Sequence, residues 1–213
     1  SQLSKNNQNE VVEFSLPVDM PHFCVGCFGC ITKGEASCPH ASNVQPIAKA
    51  LLDADLIILT SSVYGMDVTG QMKTLLDHLC YLWMSHRPNV KMFNKIALTI
   101  TTTAGAGGAH ATKTLGNSLK FWGVKRIVKA KYNVGAMRWE DVTERNRRKI
   151  VKSIEAKARK IESNVSRRNQ LSAMPFTRIF FWMMQGMMKK NGWNLTDRNH
   201  WEKMGWLDNA HPF

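Results

Sequence analysis

The apolar run at residues 56–59 constrains the fold of this chain more than any other feature. It reads Leu-Ile-Ile-Leu, and the polar residues Asp55 and Thr60 bound it on both sides. A strand without a polar face has to be buried on both faces, and such strands belong to parallel sheets. Further strands are predicted at 95–102 and 126–132, where apolar and β-branched residues predominate.

Helical periodicity separates these strands. Apolar residues recur three and four positions apart in 43–54, 72–82 and 111–122, which predicts a helix in each stretch. Strands that alternate with helices form right-handed βαβ units. The sequence therefore predicts an α/β fold with a doubly wound parallel sheet and helices on both faces. A short first strand is predicted at 11–16, which Pro17 ends.

The chain carries a formal net charge of +13, and such a field attracts phosphates, nucleic acids and anionic membranes. Much of the excess lies in a predicted amphipathic helix at 145–168, with ten Lys and Arg residues against two Glu. Its basic side is interpreted as a solvated face, with attraction of a phosphorylated cofactor as the alternative. Nucleic-acid binding is not expected, because no nucleic-acid module accompanies the charge.

The length of 213 residues suits one domain with appendages. The first nine residues hold no apolar signal sequence, and no segment approaches the ~20 apolar residues that span a bilayer. We therefore expect a cytoplasmic protein with no transmembrane segment.

Four of the five cysteines are crowded into fifteen residues: Cys24, Cys27, Cys30 and Cys38. In an intracellular protein this crowding indicates metal or redox chemistry rather than disulfides. The first two gaps match the ferredoxin run that holds iron–sulfur clusters, although the last gap is longer. A tetrahedral zinc site that includes His22 or His40 is an alternative. Cys80 stands alone in an apolar helical pattern and is interpreted as a core residue.

Two loops follow strands at the predicted carboxyl edge, where such sheets bind their ligands. The first loop, 61–70, leads into a helix, and the stretch 61–77 reads Ser-Ser-Val-Tyr-Gly-Met-Asp-Val-Thr-Gly-Gln-Met-Lys-Thr-Leu-Leu-Asp. The second loop, 101–108, reads Thr-Thr-Thr-Ala-Gly-Ala-Gly-Gly. The first resembles the Ser-Pro-Val-Tyr and Gly-Gln-x-Lys-x-x-x-Asp motifs of the flavodoxin-like NAD(P)H-dependent FMN reductases, relatives of the iron–sulfur flavoproteins. The second resembles their other flavin-contacting loop. The stretch 200–207 is similar to the Trp-x-x-x-Gly-Trp ending of some bacterial members.

The resemblance implies a flavodoxin-like fold that binds FMN at these loops. It implies the following cofactor-binding residues: Ser61, Ser62, Val63, Tyr64, Gly65, Met66, Thr102, Thr103, Ala104, Gly105, Gly107 and Gly108. It further implies an enzyme in which NAD(P)H reduces the flavin and an unidentified small-molecule acceptor, such as a quinone, takes the electrons. The cofactor performs this chemistry, so no catalytic acid, base or nucleophile is predicted.

The sequence departs from the family pattern in two places. Ser62 replaces the usual proline of the first motif. Family members also begin with a central strand and a phosphate-binding loop at a helix N-terminus, and this sequence shows neither. We therefore expect a domain that is incomplete at its N-terminus, and no phosphate-binding residue is named.

For the cysteines, the resemblance supports two interpretations. Iron–sulfur flavoproteins carry a compact four-cysteine motif in this place, which implies a [4Fe-4S] cluster on Cys24, Cys27, Cys30 and Cys38. Many reductases of the family instead carry Cys-x-Gly-Cys-Phe-x-Cys and a fourth cysteine further on, with no cluster implied. The preferred interpretation is the loop without a cluster, because this chain has the same Gly-Cys-Phe. A cluster-bearing electron carrier is the alternative function.

Beyond residue 165 the composition shifts to Met, Trp and Phe, and an apolar helix is predicted at 176–188. We divide the chain into a flavin-binding domain, 1–165, and a C-terminal helical extension, 166–213. Docking of this extension on the domain or on a second subunit is favoured over contact with a membrane, and the resemblance implies a homodimer. A protein that binds flavin or a partner through the basic helix and the tail, without catalysis, is a further rival.

Overall fold

The structure, a computed structural model, describes residues 9–213. Its centre is a four-stranded sheet with the strand order β2-β1-β3-β4. Strands β1, β3 and β4 run parallel, and the short β2 pairs antiparallel with the end of β1. The strands are β1 (Leu56–Tyr64), β2 (Asp67–Val68), β3 (Ile96–Thr103) and β4 (Arg126–Asn133).

Helices connect and flank the strands. The α-helices are α1 (Gly29–Thr32), α2 (Ala41–Asp53), α3 (Gly70–His78), α4 (Gly108–Phe121), α5 (Glu144–Ser166), α6 (Pro175–Lys189) and α7 (Leu195–Lys203). Short 3-10 segments lie at Glu35–Ser37, Cys80–Leu82, Val90–Asn94, Trp139–Asp141 and Arg168–Gln170.

Different helices cover the two faces of the sheet. On one face, Ile57 packs with residues of α2, α3 and α4, among them Leu115. On the other face, Leu98 and Val128 pack with Ile161 of α5. Successive strand residues point to opposite faces, which is why strands without a polar face need helices on both sides. The predicted α/β fold with a parallel, doubly wound sheet is confirmed.

One edge of the sheet is open in residues 9–213. Ile58 of β1 is 45% exposed, and Thr60 on the same face is also exposed. Strand β2 pairs only with Val63 and Tyr64, and no other described strand lies on that side of β1. Within the described residues, β1 therefore has no parallel neighbour on that side.

Residues 11–16, predicted as a strand, form none, so this prediction is wrong. Val11 and Val12 are 76% and 63% exposed. A turn follows at once, in which the amide of Asp19 donates to the carbonyl of Ser15 at 3.0 Å. Strand propensity depends on packing against neighbouring strands, and within the described part of the chain no strand runs alongside these residues.

The other predicted elements are present with shifted ends. Strand β1 continues to Tyr64, so the first four residues of the loop predicted at 61–70 are strand. Helix α4 begins at Gly108 rather than at residue 111, directly after the glycine-rich loop. The predicted tail helix is α6, and the predicted basic helix is α5.

One face of α6 packs on the rest of the structure. Phe181 and Met184 of α6 and Trp201 of α7 join Phe93 in one buried cluster. Among the described helices, none combines the length and the hydropathy that crossing a membrane requires. Apolar side chains of α6 that remain more than half exposed are Ile179, Trp182, Met183 and Met187.

The Arg87 side chain joins the cysteine segment, residues 24–38, to the tail, which is the C-terminal extension at 166–213. Its guanidinium group donates to the carbonyls of Ile31, at 3.0 Å, and Cys30. It also donates to the carboxylates of Asp197 and Glu35. The Arg87 and Asp197 side chains are only 8% and 1% exposed, so this ion pair is buried and its two partners depend on each other.

We expect Asp197→Ala to lower the free energy of unfolding by roughly 3–5 kcal/mol, because it leaves the Arg87 charge buried without its main partner. Urea denaturation followed by circular dichroism measures the change. The matched control is Glu144→Ala, which removes an exposed ion pair with Arg148 and should cost less than about 1 kcal/mol. Equal effects of the two substitutions would contradict this role for the pair.

Candidate functional site

The two predicted flavin loops leave the sheet side by side. Strands β1 and β3 are parallel neighbours, with Ser61 paired to Thr101 and Ser62 paired to Thr102. Their carboxyl ends therefore meet at one edge, where parallel sheets bind ligands. The structure brings together both stretches that the sequence analysis singled out.

A two-residue turn after β1 presents apolar side chains at this edge. Tyr64 pairs with Asp67, and between them Gly65 and Met66 have φ values of 54° and 70°. Positive φ at both central positions is typical of type I′ hairpin turns, whose twist matches the strands. The Tyr64 and Met66 side chains are 68% and 59% exposed. Met66 adopts a backbone conformation that non-glycine residues rarely take.

Ser61 is buried and is used within the protein. Its hydroxyl oxygen accepts from the amide of Thr69 at 3.0 Å, and the hydroxyl donates to the carbonyl of Ser62 at 2.8 Å. Thr69 in turn caps α3 by accepting from the amide of Met72 at 3.2 Å. These bonds fix the path of the chain from β1 into α3.

The second loop is held by its own hydrogen bonds. The Thr103 hydroxyl donates to the carbonyl of Ala106 at 2.6 Å and accepts from the amide of Gly105 at 3.1 Å. Gly107, with a φ of 84°, then directs the chain into α4. Ala104 and Gly105 are exposed, so the outer part of this loop is accessible to a ligand.

The two loops touch at Gly107. A Cβ atom at this position would lie 2.7 Å from Cγ1 of Val63 and 2.9 Å from Cα of Met66. Both separations are shorter than a normal van der Waals contact, so only glycine allows the loops to approach this closely. The positive φ of Gly107 adds a second reason for glycine.

The exposed parts of these loops form an open ledge. A Cβ atom on Gly65 or Gly105 would meet no atom within 4 Å, so space above both turns is free. Tyr64 and Met66 offer an aromatic ring and an apolar side chain to a planar ligand. A flat ring system such as that of FMN requires contacts of this chemical type. Two cavities, of about 380 and 630 Å³, include no residue of either loop.

The predicted cysteines lie in different surroundings. Cys24 and Cys27 are exposed, whereas Cys30 and Cys38 are half-buried. The Sγ atom of Cys38 and one ring nitrogen each of His40 and His78 lie within 4.8 Å of one another. The role of Cys24, Cys27, Cys30 and Cys38 as ligands of one cluster stays a prediction.

Cys30 is paired with Cys80. A hydrogen bond from the Cys80 thiol lowers the pKa of Cys30 to about 6, and the Arg87 guanidinium acts in the same direction, while burial opposes both. The same hydrogen bond, together with burial, raises the pKa of Cys80. Cys80 does pack against the core, as predicted, but the sequence did not indicate its contact with Cys30.

The sequence analysis did not single out His78 or Arg87, and it gave Cys80 only a role in the core. The apolar periodicity of the α3 region favoured a core role for that whole stretch. Arg87 lies in a connecting segment without a motif. Their residue types, which suit metal binding and ion pairing, were the only signal in the sequence.

Comparisons with known proteins agree on a family. The sequence profile described as "NADPH-dependent FMN reductase" matches residues 3–137. An "Iron-sulfur flavoprotein" of Archaeoglobus fulgidus is 33% identical over 132 residues, which cover 62% of this chain and 56% of that protein. "Iron-sulfur flavoprotein MJ0731" of Methanocaldococcus jannaschii is 36% identical over 106 residues, or 50% of this chain and 52% of that protein. The chain thus spans about half the length of these curated relatives.

Among solved structures, the apo form of NADH:FMN oxidoreductase (EMOB) aligns with a TM-score of 0.43 and 20% identity, covering 66% of each chain. The general stress protein 14 of Treponema denticola, in complex with FMN, aligns with a TM-score of 0.37 and 13% identity over 59% of this chain and 72% of that one. The family assignment rests on the profile, which covers more than half of the chain. By that match, the chain belongs to the NADPH-dependent FMN reductase family.

Proposed function

We propose that this protein is an FMN-dependent NAD(P)H oxidoreductase. The observation that carries the proposal is the contact between two loops that are far apart in sequence. Gly107 packs directly on Val63 and Met66, so the two flavin-type motifs form one surface at the carboxyl edge of the sheet. Membership of the FMN reductase family supports the same function.

In this proposal the exposed loop residues hold the flavin ring. The hairpin from Ser62 to Met66 supplies the aromatic ring of Tyr64 and the backbone amides of a tight turn. From the other side, Thr102–Gly108 presents small residues whose backbone a flat ligand can approach closely. Bound FMN supplies the redox chemistry, by taking hydride from a nicotinamide nucleotide and passing electrons to a small-molecule acceptor.

Two of the residues predicted to contact FMN, Ser61 and Gly108, form hydrogen bonds within the protein instead. Ser61 is occupied by its bonds to Thr69 and Ser62. Gly108 is buried, and its carbonyl accepts from the hydroxyls of Thr101 and Thr112 at 3.2 and 2.6 Å. We propose that both residues position the loops and do not touch the ligand.

In this proposal, the open ledge lets the electron donor and the electron acceptor use the same site. Because Tyr64 and Met66 face solvent on the outer side of the turn, a donor and an acceptor can approach the same face of a bound ring in turn. The protein contributes orientation and partial exclusion of water, and no side-chain acid or base is required.

A cluster-bearing electron carrier is the second candidate, because two curated relatives carry the name iron–sulfur flavoprotein. In that case Cys24, Cys27, Cys30 and Cys38 hold a [4Fe-4S] cluster that relays single electrons. Anaerobic purification with iron and sulfide analysis separates the two candidates. Iron and sulfide near four atoms each per chain favour the carrier, and their absence favours the cluster-free reductase.

We expect the purified chain to bind FMN, and the complex to lose its flavin absorbance when NADPH or NADH is added without oxygen. A quinone should then restore the absorbance through repeated cycles. Stopped-flow absorbance measures both steps, with free FMN at the same concentration as the control. Failure of the full-length protein to bind FMN, or bleaching no faster than that of free FMN, would overturn the proposed function.

We expect Gly107→Ala to weaken FMN binding at least about tenfold, which corresponds to roughly 1.4 kcal/mol. The new methyl group pushes Val63 and Met66 away and meets the left-handed backbone strain of about 1–2 kcal/mol. Quenching of flavin fluorescence measures the dissociation constant. The control is Gly192→Ala, where a Cβ atom meets nothing within 4 Å. Equal affinities of the two variants would contradict the role of the loop contact.

We further propose that the chain is a homodimer joined through the exposed face of α6. Ile179, Trp182, Met183 and Met187 leave an exposed apolar surface, of the kind that marks an interaction site. The opposite face is fixed by Phe181 in the buried cluster. Arg178 borders this surface, with its guanidinium group 5.9 Å from the centre of the Trp182 ring.

Light scattering after size exclusion should give about twice the chain mass of 24.1 kDa, and Ile179→Glu/Met183→Glu should reduce this to one chain. Met137→Glu is the control, because Met137 is 95% exposed outside α6. A monomeric wild type would contradict the dimer. If the wild type binds anionic vesicles and only the double variant loses this binding, the exposed face of α6 contacts a membrane instead.

A further inference from the structure

A compact group of metal-type ligands joins the cysteine segment to α3. It consists of the Cys38 thiol and the imidazoles of His40 and His78, whose ligand atoms lie within 4.8 Å of one another. Cys38 and His40 immediately precede α2, and His78 is the last residue of α3. Three ligands from two separate elements therefore converge on one point. Within residues 9–213, no other group of three or more His, Cys, Asp or Glu residues brings its ligand atoms this close together.

His78 is oriented as a metal ligand would be. It is 3% exposed, and its Nδ1 donates to the carbonyl of Thr74 at 2.8 Å. This bond fixes the tautomer and leaves a lone pair on Nε2, and metal-binding histidines are commonly held by such a bond on the other ring nitrogen. The Nε2 atom lies 3.1 Å from Nδ1 of His40 and accepts its hydrogen bond, so this lone pair points into the group.

We propose that Cys38, His40 and His78 bind a single zinc ion. Thiolate and imidazole are the ligands that zinc prefers. With bonds of about 2.0–2.1 Å, two nitrogen ligands of a tetrahedral zinc lie about 3.3–3.4 Å apart, close to the 3.1 Å between His40 and His78. On binding, the proton on Nδ1 of the neutral His40 ring moves to Nε2 of the same ring, and the Cys38 thiol loses its proton, so one proton is released to solvent for each zinc ion bound.

The fourth position of this site is left to water. His22 is the nearest further candidate, with its ring centroid 4.7 Å from that of His40 and an angle of 17° between the ring planes. Nitrogen lone pairs lie in the ring plane, and two nearly parallel planes do not meet at a common ion. The His40 and His78 planes, at 62° to each other, do intersect. His22 therefore stacks on a ligand and is not itself one.

The site is independent of the proposed flavin chemistry and competes with a cluster. None of its three ligands belongs to the loops at the carboxyl edge. Cys38 is also one of the four cysteines that a [4Fe-4S] cluster would need, so the chain holds either a zinc ion at Cys38 or that cluster. A bound zinc would connect the start of α2 to the end of α3, two helices on the same face of the sheet.

Zinc content and zinc affinity of the full chain test the proposal. After dialysis against a weak chelator, we expect about one zinc ion per chain by plasma mass spectrometry. Cys38→Ser, His40→Gln and His78→Gln should each weaken zinc binding by at least about 100-fold in chelator competition, since even outer-shell partners cost 10–100-fold. Controls are Cys27→Ser and His22→Ala, which should keep the zinc.

Cobalt(II) gives a second readout. In the wild type it should produce the visible bands of a tetrahedral site and a thiolate-to-cobalt charge-transfer band, and Cys38→Ser should lose the latter. If His78→Gln does not fold, as judged by circular dichroism, Cys38→Ser and His40→Gln decide the outcome. FMN binding is measured on the same samples, so failure of the flavin proposal is seen separately.

Three results would overturn the site: a wild type without bound zinc, zinc binding unchanged in both Cys38→Ser and His40→Gln, or zinc binding lost equally in Cys27→Ser. Iron and sulfide that depend on Cys24, Cys27, Cys30 and Cys38 would overturn it as well, in favour of the cluster.

Discussion

The buried guanidinium group of Arg87 is the contact on which the placement of the cysteine segment and the tail depends. An arginine is charged at any relevant pH and offers five donors, so it is stable in this position only when those donors are paired. Two donors go to the α1 carbonyls of Cys30 and Ile31, and others to Glu35 and Asp197. Both the loop before α2 and helix α7 are thereby held against one side chain.

That contact has consequences for the chemistry of the thiols. With α1 held in place, Cys30 faces Cys80 and carries a lowered pKa, whereas Cys24 and Cys27 stay exposed. Cys38, on the far side of the same segment, faces two imidazoles instead. One compact sequence motif thus provides three different environments. The motif alone therefore does not specify a common role for its cysteines.

Patterns that report on many residues at once gave good predictions of the fold. The stretches at 56–59, 95–102 and 126–132 all lie in parallel strands, because their apolar and β-branched residues pack well in a sheet. The strand predicted at 11–16 is absent, because alternation over so few residues also occurs in segments that are not strands. The position of both flavin-type loops at one edge also followed from the order of strands and helices, since parallel strands end on the same side.

The sequence by itself determined the class of the fold, its strands and the two loops at the carboxyl edge, because periodicity and glycine content are local properties of the chain. Only the tertiary structure decided which residues meet across the chain. The approach of Gly107 to Val63, the pairing of Cys30 with Cys80 and the convergence of Cys38 with His78 all join residues that are far apart in sequence. Such contacts depend on how helices pack against the sheet, and no local pattern records that packing.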